Sequence, residues 1–322
     1  MKHHFLWATA ALALIAFSTG AQAQPYPNRP IKILQGFAPG GNADTIARVI
    51  GNELGKNLGQ PIVVEARAGA GGNLASDAVA KSPPDGYTLI LLTGGHTASG
   101  ALYKTLPFDP ADSFDMISTI SLFPFLFTVR SDSPYQTLRA LIDAVKAKPE
   151  SVAYGTAGIG STHHLTGELL AKMANAPFLH VPYKGDAAAI TSLLGGEIPL
   201  VVATPTVAVA QVKAGKLKVV ATSGGTRWSG MPDVPTAAEA GVPGFDVRSW
   251  VGLAAPAGTP KMVIERLNAE VQKVIQLSDV RARLEALGGE ARASTPQEMK
   301  ERVVFEVARW KKVIADSKIP QQ

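Results

Sequence analysis

The sequence contains no cysteine, which excludes disulfide frameworks, thiolate zinc sites, iron–sulfur clusters, cysteine nucleophiles and lipid attachment through an N-terminal cysteine. Charged residues are sparse, at 18% against about 25% for ordinary soluble domains. The net charge of +5 is spread along the chain. No run of five or six basic residues forms a nucleic-acid arm, so no nucleic-acid partner is expected. No stretch of eighteen consecutive apolar residues occurs, although the hydrophobic share is 46%, so no membrane-spanning helix is expected in the mature chain. With 322 residues, the chain has the length of about two domains and can bury a full core without metal or disulfide staples.

The N-terminus reads as a leader. Lys2 supplies a positive start, residues 5–17 are uncharged and mostly apolar, and Ala21-Gln22-Ala23 forms a small-residue cleavage site. A signal peptide over 1–23, cut after Ala23, is expected to deliver the protein to the periplasm. Thirteen apolar residues are too few to cross a bilayer, which takes about 20.

Beyond the leader, short apolar runs at 31–34, 62–65 and 87–92 are bounded by Gly and Pro, as buried parallel strands are. Between the first two, Ile46, Val49, Ile50, Leu54 and Leu58 recur with helical spacing, and 73–81 reads as a second helix. This β-α-β-α-β order predicts a doubly wound α/β sheet. After a hydrophobic crossing at 117–129, a second series follows. Helices are predicted at 138–148, 162–174, 187–194 and 207–214, and strands at 152–155, 178–181, 198–203 and 217–221. An apolar strand at 250–255 returns, and helices at 260–277, 279–287 and 296–317 close the chain, the last opened by a Thr295-Pro296-Gln297-Glu298 capping box. Lobe 1 is expected to comprise 24–124 and 250–322, and lobe 2 residues 125–249, with the crossings at 117–129 and 250–255 as hinge.

Three strand-to-helix loops carry the chemistry. In Phe37-Ala38-Pro39-Gly40-Gly41-Asn42-Ala43-Asp44, the glycines bring main-chain N–H groups toward a ligand and the following helix start favours an anion; equally, the glycines make a turn and Asn42 or Asp44 caps the helix. Thr93-Gly94-Gly95-His96-Thr97 should open at the same sheet edge, where α/β folds bind ligands. Gly158-Ile159-Gly160-Ser161-Thr162-His163-His164 is its counterpart in the second series. The adjacent His163 and His164 point about 100° apart on a helix and cannot chelate as an i, i+4 pair; one is expected to hydrogen-bond at the helix start and one to lie on the surface. No complete dinucleotide fingerprint, Walker loop or nucleophile elbow occurs. Asp109, Asp112 and Asp115 lack the remainder of a calcium loop, and the turn 181–186 reads as a structural connection. Neither metal nor cofactor is expected.

The ordered motifs resemble one family throughout the mature chain. Arg29-Pro30-Ile31, Phe37-x-Pro39-Gly40-Gly41-x-x-Asp44, Gly59-Gln60-Pro61-Ile62-Val63-Val64-Glu65 and Pro84-Asp85-Gly86-Tyr87 are similar to the Bug family of periplasmic solute-binding receptors. So are His180-Val181-Pro182-Tyr183-Lys184-Gly185, Pro232-Asp233-Val234-Pro235-Thr236 and Ala255-Pro256-Ala257-Gly258-Thr259-Pro260. The resemblance implies a two-lobed type 2 periplasmic-binding-protein (Venus flytrap) fold that closes on a small carboxylate for a membrane permease of the tripartite tricarboxylate type. A monomer with no enzymatic activity is expected. The ligand residues would be Phe37, Ala38, Gly40, Gly41, Asn42, Ala43, Asp44, Thr93, Gly95, His96, Thr97, Gly158, Ser161, Thr162, His163, Thr204 and Pro205. Asn42 and Ala43 replace the family's Gly and Thr, and Ala203-Thr204-Pro205 stands where members often carry Phe-Asp-Asn, so no acidic partner is expected there. Competing readings are a ligand-sensing module for a membrane kinase and a hydrolase using Ser161 with His96 or His164.

Overall fold

A computed structural model describes residues 26–317 and 319–322; the expected leader and its cleavage point lie outside them. Strands β1 (Ile31–Gln35), β2 (Ile62–Ala66) and β3 (Thr88–Thr93) pair in parallel, with Ile33 opposite both Val64 and Leu89. Helices α1 (Asn42–Leu58) and α2 (Asn73–Ala80) make the crossovers, with a 3-10 turn at Ala70–Gly72 before α2. On α1 the predicted stripe of Ile46, Ile50, Leu54 and Leu58 is buried. Helix α1 ends at Gly59, whose φ of 68° supplies the left-handed cap that glycine adopts at least cost.

The residues 94–102 form a helix, α3 (Gly94–Leu102), rather than an open loop. Thr93 caps it by accepting from the Gly95 amide at 3.2 Å, so Gly95, His96 and Thr97 are first-turn residues. Strand β4 (Phe114–Pro124) continues through Phe125 alone into β5 (Leu126–Arg130), which belongs to a different sheet.

The second series is α4 (Leu138–Ala147), β6 (Ala153–Thr156), α5 (Thr162–Met173), β7 (Leu179–Pro182), α6 (Asp186–Leu194), β8 (Leu200–Ala203), α7 (Pro205–Lys213) and β9 (Leu217–Thr222). Strand β10 (Arg248–Pro256) runs antiparallel between β3 and β4. Helices α8 (Lys261–Gln276) and α9 (Ser278–Ala286), the short β11 (Glu290–Ala291) and α10 (Pro296–Ser317) complete the chain. The capping box before α10 is formed: the Glu298 amide donates to Thr295 Oγ1 at 3.1 Å and the Thr295 amide to Glu298 Oε2 at 2.7 Å.

Two lobes result, each an α/β layer structure. One sheet has the order β11-β4-β10-β3-β1-β2 and the other β7-β6-β8-β5-β9. The chain passes between them at Phe125 and again between Ser223 and Val247, so β10 lies wholly in the first sheet and is not itself the crossing. Ser223 ties the two passages together. Its hydroxyl accepts from the Phe125 amide at 2.8 Å and donates to the Val247 carbonyl at 2.6 Å. Two strands joined by hydrogen bonds at one point can absorb a rigid-body rotation with few dihedral changes.

Candidate functional site

Helix starts from both lobes converge on the space between the sheets. The first lobe contributes α1 and α3, and the second α5, α6 and α7. No side chain caps α1, whose N-cap is Gly41, so neither Asn42 nor Asp44 caps it and its first-turn N–H groups stay free of intrahelical partners. A cavity of about 20 Å³ lies at the convergence, room for about one water. Its walls are Phe37, Asn42, Ala43, Thr93, Phe123 and Ser249 from the first lobe and Ala157, Thr162, His163, Asp186 and Thr204 from the second. A larger groove of about 310 Å³ between Gly69–Gly71 and Gly158, Ile159 and Lys184 forms the mouth.

The cavity's own unsatisfied groups sit on its second-lobe wall. Thr162 Oγ1 and both ring nitrogens of His163 are buried without a hydrogen-bond partner. The His163 ring tilts against Phe125 with centroids 4.4 Å apart. Its Nε2 is 3.6 Å from Asp186 Oδ2, beyond hydrogen-bond reach and within ion-pair range. Asp186, 4% exposed, is the one carboxylate of the cavity. Thr204 donates to it from its hydroxyl at 2.5 Å and from its amide at 3.4 Å. Burial pushes the Asp186 carboxyl up, but His163 and the two Thr204 donors outweigh it and hold the group below the usual range, hence ionised. Among the described residues no Lys or Arg lines the cavity.

Seven of the seventeen expected residues therefore line the cavity: Phe37, Asn42, Ala43, Thr93, Thr162, His163 and Thr204. The others are placed differently. Asp44 turns back into its own loop, accepting from the Gly40 amide at 3.1 Å and from Arg48 at 2.9 and 3.0 Å; burial raises its carboxyl, and Arg48 and Gly40 bring it below the usual range. The Gly40 amide is thereby occupied, and Gly40, with φ of 82°, is the loop glycine that needs the left-handed region. Gly41 has φ of −78°, open to any residue; what keeps it bare is Asp186 Oδ1, 3.0 Å from where its Cβ would stand. The Ala38 amide donates across the lobes to the Lys184 carbonyl at 3.0 Å.

His96 is placed outside the cavity. Its Nε2 is 2.8 Å from the Pro110 carbonyl and its Nδ1 is 3.3 Å from Ser76 Oγ. Burial pushes its pKa down to about 4. Thr97 Oγ1 lies 2.8 Å from the Gly94 carbonyl and 3.0 Å from Glu306. Gly95 packs against the Gly71 carbonyl and Ser161 Cα, at 3.3 and 3.5 Å from its would-be Cβ. Gly158 lines the mouth. Pro205 opens α7 and packs under Gly288. Ser161 is a helix cap, accepting from the His164 amide at 3.2 Å and donating to the Gly158 carbonyl at 2.6 Å; among the described residues no imidazole hydrogen-bonds its hydroxyl. Neither His163 nor His164 is at the surface: His164 is buried and stacks on His180 at 4.2 Å, and burial pushes its pKa to about 4.

Residue reasoning missed Phe123, Ala157, Asp186 and Ser249. Asp186, at the start of α6, brings a carboxylate beside Thr204. Gly94 explains why α3 begins with two glycines: a Cβ there would stand 2.7 Å from Ser249 Oγ and 2.8 Å from Thr162 Oγ1.

The family model of the tripartite tricarboxylate transporter family receptor matches residues 46–319. The chain belongs to this family. Among solved structures it is similar to the periplasmic binding protein BugD, at 32% identity and a TM-score of 0.88 over 92% of this chain and 100% of that one. MatC of Rhodopseudomonas palustris with bound malate is similar at 35% identity and a TM-score of 0.86, over 90% and 100%. A second R. palustris protein, solved with adipate, is similar at 34% and 0.88, over 92% and 99%. Family membership and the two-lobed fold agree with the resemblance read from the motifs. The chain is thus a receptor of the tripartite tricarboxylate transporter family.

Proposed function

We propose that the protein is an exported, monomeric receptor that captures one small carboxylate-bearing metabolite between its lobes and presents it to a tripartite tricarboxylate-type permease. In this reading 1–23 is removed on export, 24–124 and 250–322 form the first lobe, and 125–249 form the second. The observation that carries it is the convergence of α1 and α5 on a cavity where Thr162 Oγ1 and His163 Nδ1 are buried without partners, His163 Nε2 lying only within ion-pair range of Asp186. Unpaired buried polar groups cost about 1–3 kcal/mol each, so a ligand that supplies their partners is favoured by removing that cost. A carboxylate fits helix starts, whose N–H groups and dipole favour an anion.

Capture works as a clamp. A ligand shifts the open–closed equilibrium by its differential affinity alone, and only contacts from both walls supply that difference. The Asn42 and Ala43 amides can engage the ligand in the open form, whereas Thr162 and His163 reach it on closure. Protein purified natively and denatured should release a single small acid, identified by mass spectrometry, which rebinds one-to-one to the stripped protein in calorimetry without being converted. Release of a chemically altered product, or no rebinding, would remove the receptor reading.

A further inference from the structure

We infer that Asp186 makes this receptor select a zwitterion, a ligand with one carboxylate and one protonated amine, over a dicarboxylate of equal length. The inference rests on the receptor reading and adds the chemistry of the ligand's second end. Asp186 lies at the start of α6, 4% exposed, on the second-lobe wall of the cavity. Its carboxylate is aimed between the lobes, with Oδ1 next to Gly41 and Oδ2 held by Thr204. Among the described residues no lysine or arginine shares the cavity, and the nearest basic side chain is His163, 3.6 Å from Oδ2.

The charge balance follows from these positions. Thr204 and His163 both approach Oδ2, whereas Oδ1 faces the first lobe beside Gly41 and retains acceptor capacity. A ligand ammonium placed there supplies a full positive charge and up to three donors. A second ligand carboxylate placed there would meet a like charge in a closed, water-poor space, where repulsion is strong. Phe37 and Phe123 line the same cavity, and aromatic faces favour a cation. The other end of the ligand, its single carboxylate, is left for the helix starts and Thr162. Asn42, Thr162 and His163 cannot by themselves impose this choice, because each accommodates an anion; Asp186 alone reverses the sign of one end.

The test is calorimetry on ligand-stripped protein with length-matched pairs: succinate against γ-aminobutyrate, adipate against ε-aminohexanoate, together with the α-amino acids of proteins. The parent should bind at least one amino acid tenfold or more tightly than any dicarboxylate. Asp186→Asn, folded by circular dichroism, should lose at least tenfold for that amino acid and gain for a dicarboxylate. Asp186→Ser, which keeps an oxygen at the helix start, should behave alike. Tighter binding of a dicarboxylate by the parent would overturn the inference and leave the receptor reading standing, as would an unchanged preference in the variants. Binding of neither class by the parent would overturn both.

Discussion

The Ser99 hydroxyl of the first lobe donates a hydrogen bond of 3.1 Å to the main-chain carbonyl of Gly160 in the second. With the bond from the Ala38 amide to the Lys184 carbonyl, it latches the lobes on either side of the mouth, and both bonds exist only when the lobes are together. Ser99→Ala should therefore leave the fold intact and weaken the closed form by about 1 kcal/mol. A fivefold or so loss of ligand affinity with an unchanged melting temperature is expected. An unchanged affinity would show that this bond does not report closure.

Gly71 offers a stronger block. Its φ is 65°, and a Cβ would stand 2.5 Å from the Ile159 carbonyl of the opposite lobe. Gly71→Ala should cost the fold only about 1 kcal/mol, the scale of a non-glycine residue in the left-handed region. Affinity should fall tenfold or more, because the methyl group props the mouth open. Calorimetry and thermal unfolding on the same variant separate the two effects.

Ser161 and Thr162 are neighbours with different duties. Ser161→Ala removes a helix cap and should lower stability by about 1 kcal/mol. Thr162→Val removes a buried hydroxyl that makes no hydrogen bond within the protein, so stability should hold or rise while ligand affinity falls. If Thr162→Val destabilises the protein and binds normally, the hydroxyl is structural and the second-lobe wall is misassigned.

Two buried histidines, His96 and His164, together with the partly buried His180 stacked on His164, set an acid sensitivity; burial and the neighbouring His164 push His180 down to about 3. Burial lowers His96 and His164 from the ordinary 6.5 to about 4. The unfolded chain takes up these protons below about pH 6.5 and the folded protein resists them until about 4, so the stability these imidazoles contribute is complete above 6.5 and is lost progressively as pH falls. The slope should approach about 1.4 kcal/mol per pH unit for each histidine inside that window. Thermal unfolding between neutral pH and about 5 should show it, with a shallower slope in His164→Gln. A melting temperature independent of pH over this range would contradict the burial of both rings.

Much of the architecture is legible in local pattern. The buried stripe on α1, the Gly- and Pro-bounded strands and the Thr295–Glu298 box are set by neighbours a few residues apart. The start of α3 is not, because Gly94, Gly95 and Thr97 are poor helix formers and only the approach of Ser249 and Thr162 requires the glycine at 94. His96 looks free in sequence, since Pro110 and Ser76, which engage its ring, lie on other segments. Asp186 follows a Gly185 turn that reads as a plain connection; its role arises from Thr204 and His163, brought to it by two other helices. The inter-lobe geometry depends on such pairings and leaves no periodic trace.

The clamp itself is tested most directly by small-angle scattering on the ligand-stripped protein, with and without saturating amounts of the acid that co-purifies with it. Closure should give a smaller radius of gyration with ligand in the parent and a smaller change in Gly71→Ala. An identical radius with and without bound ligand, in protein shown by calorimetry to be saturated, would contradict closure of two lobes around the acid.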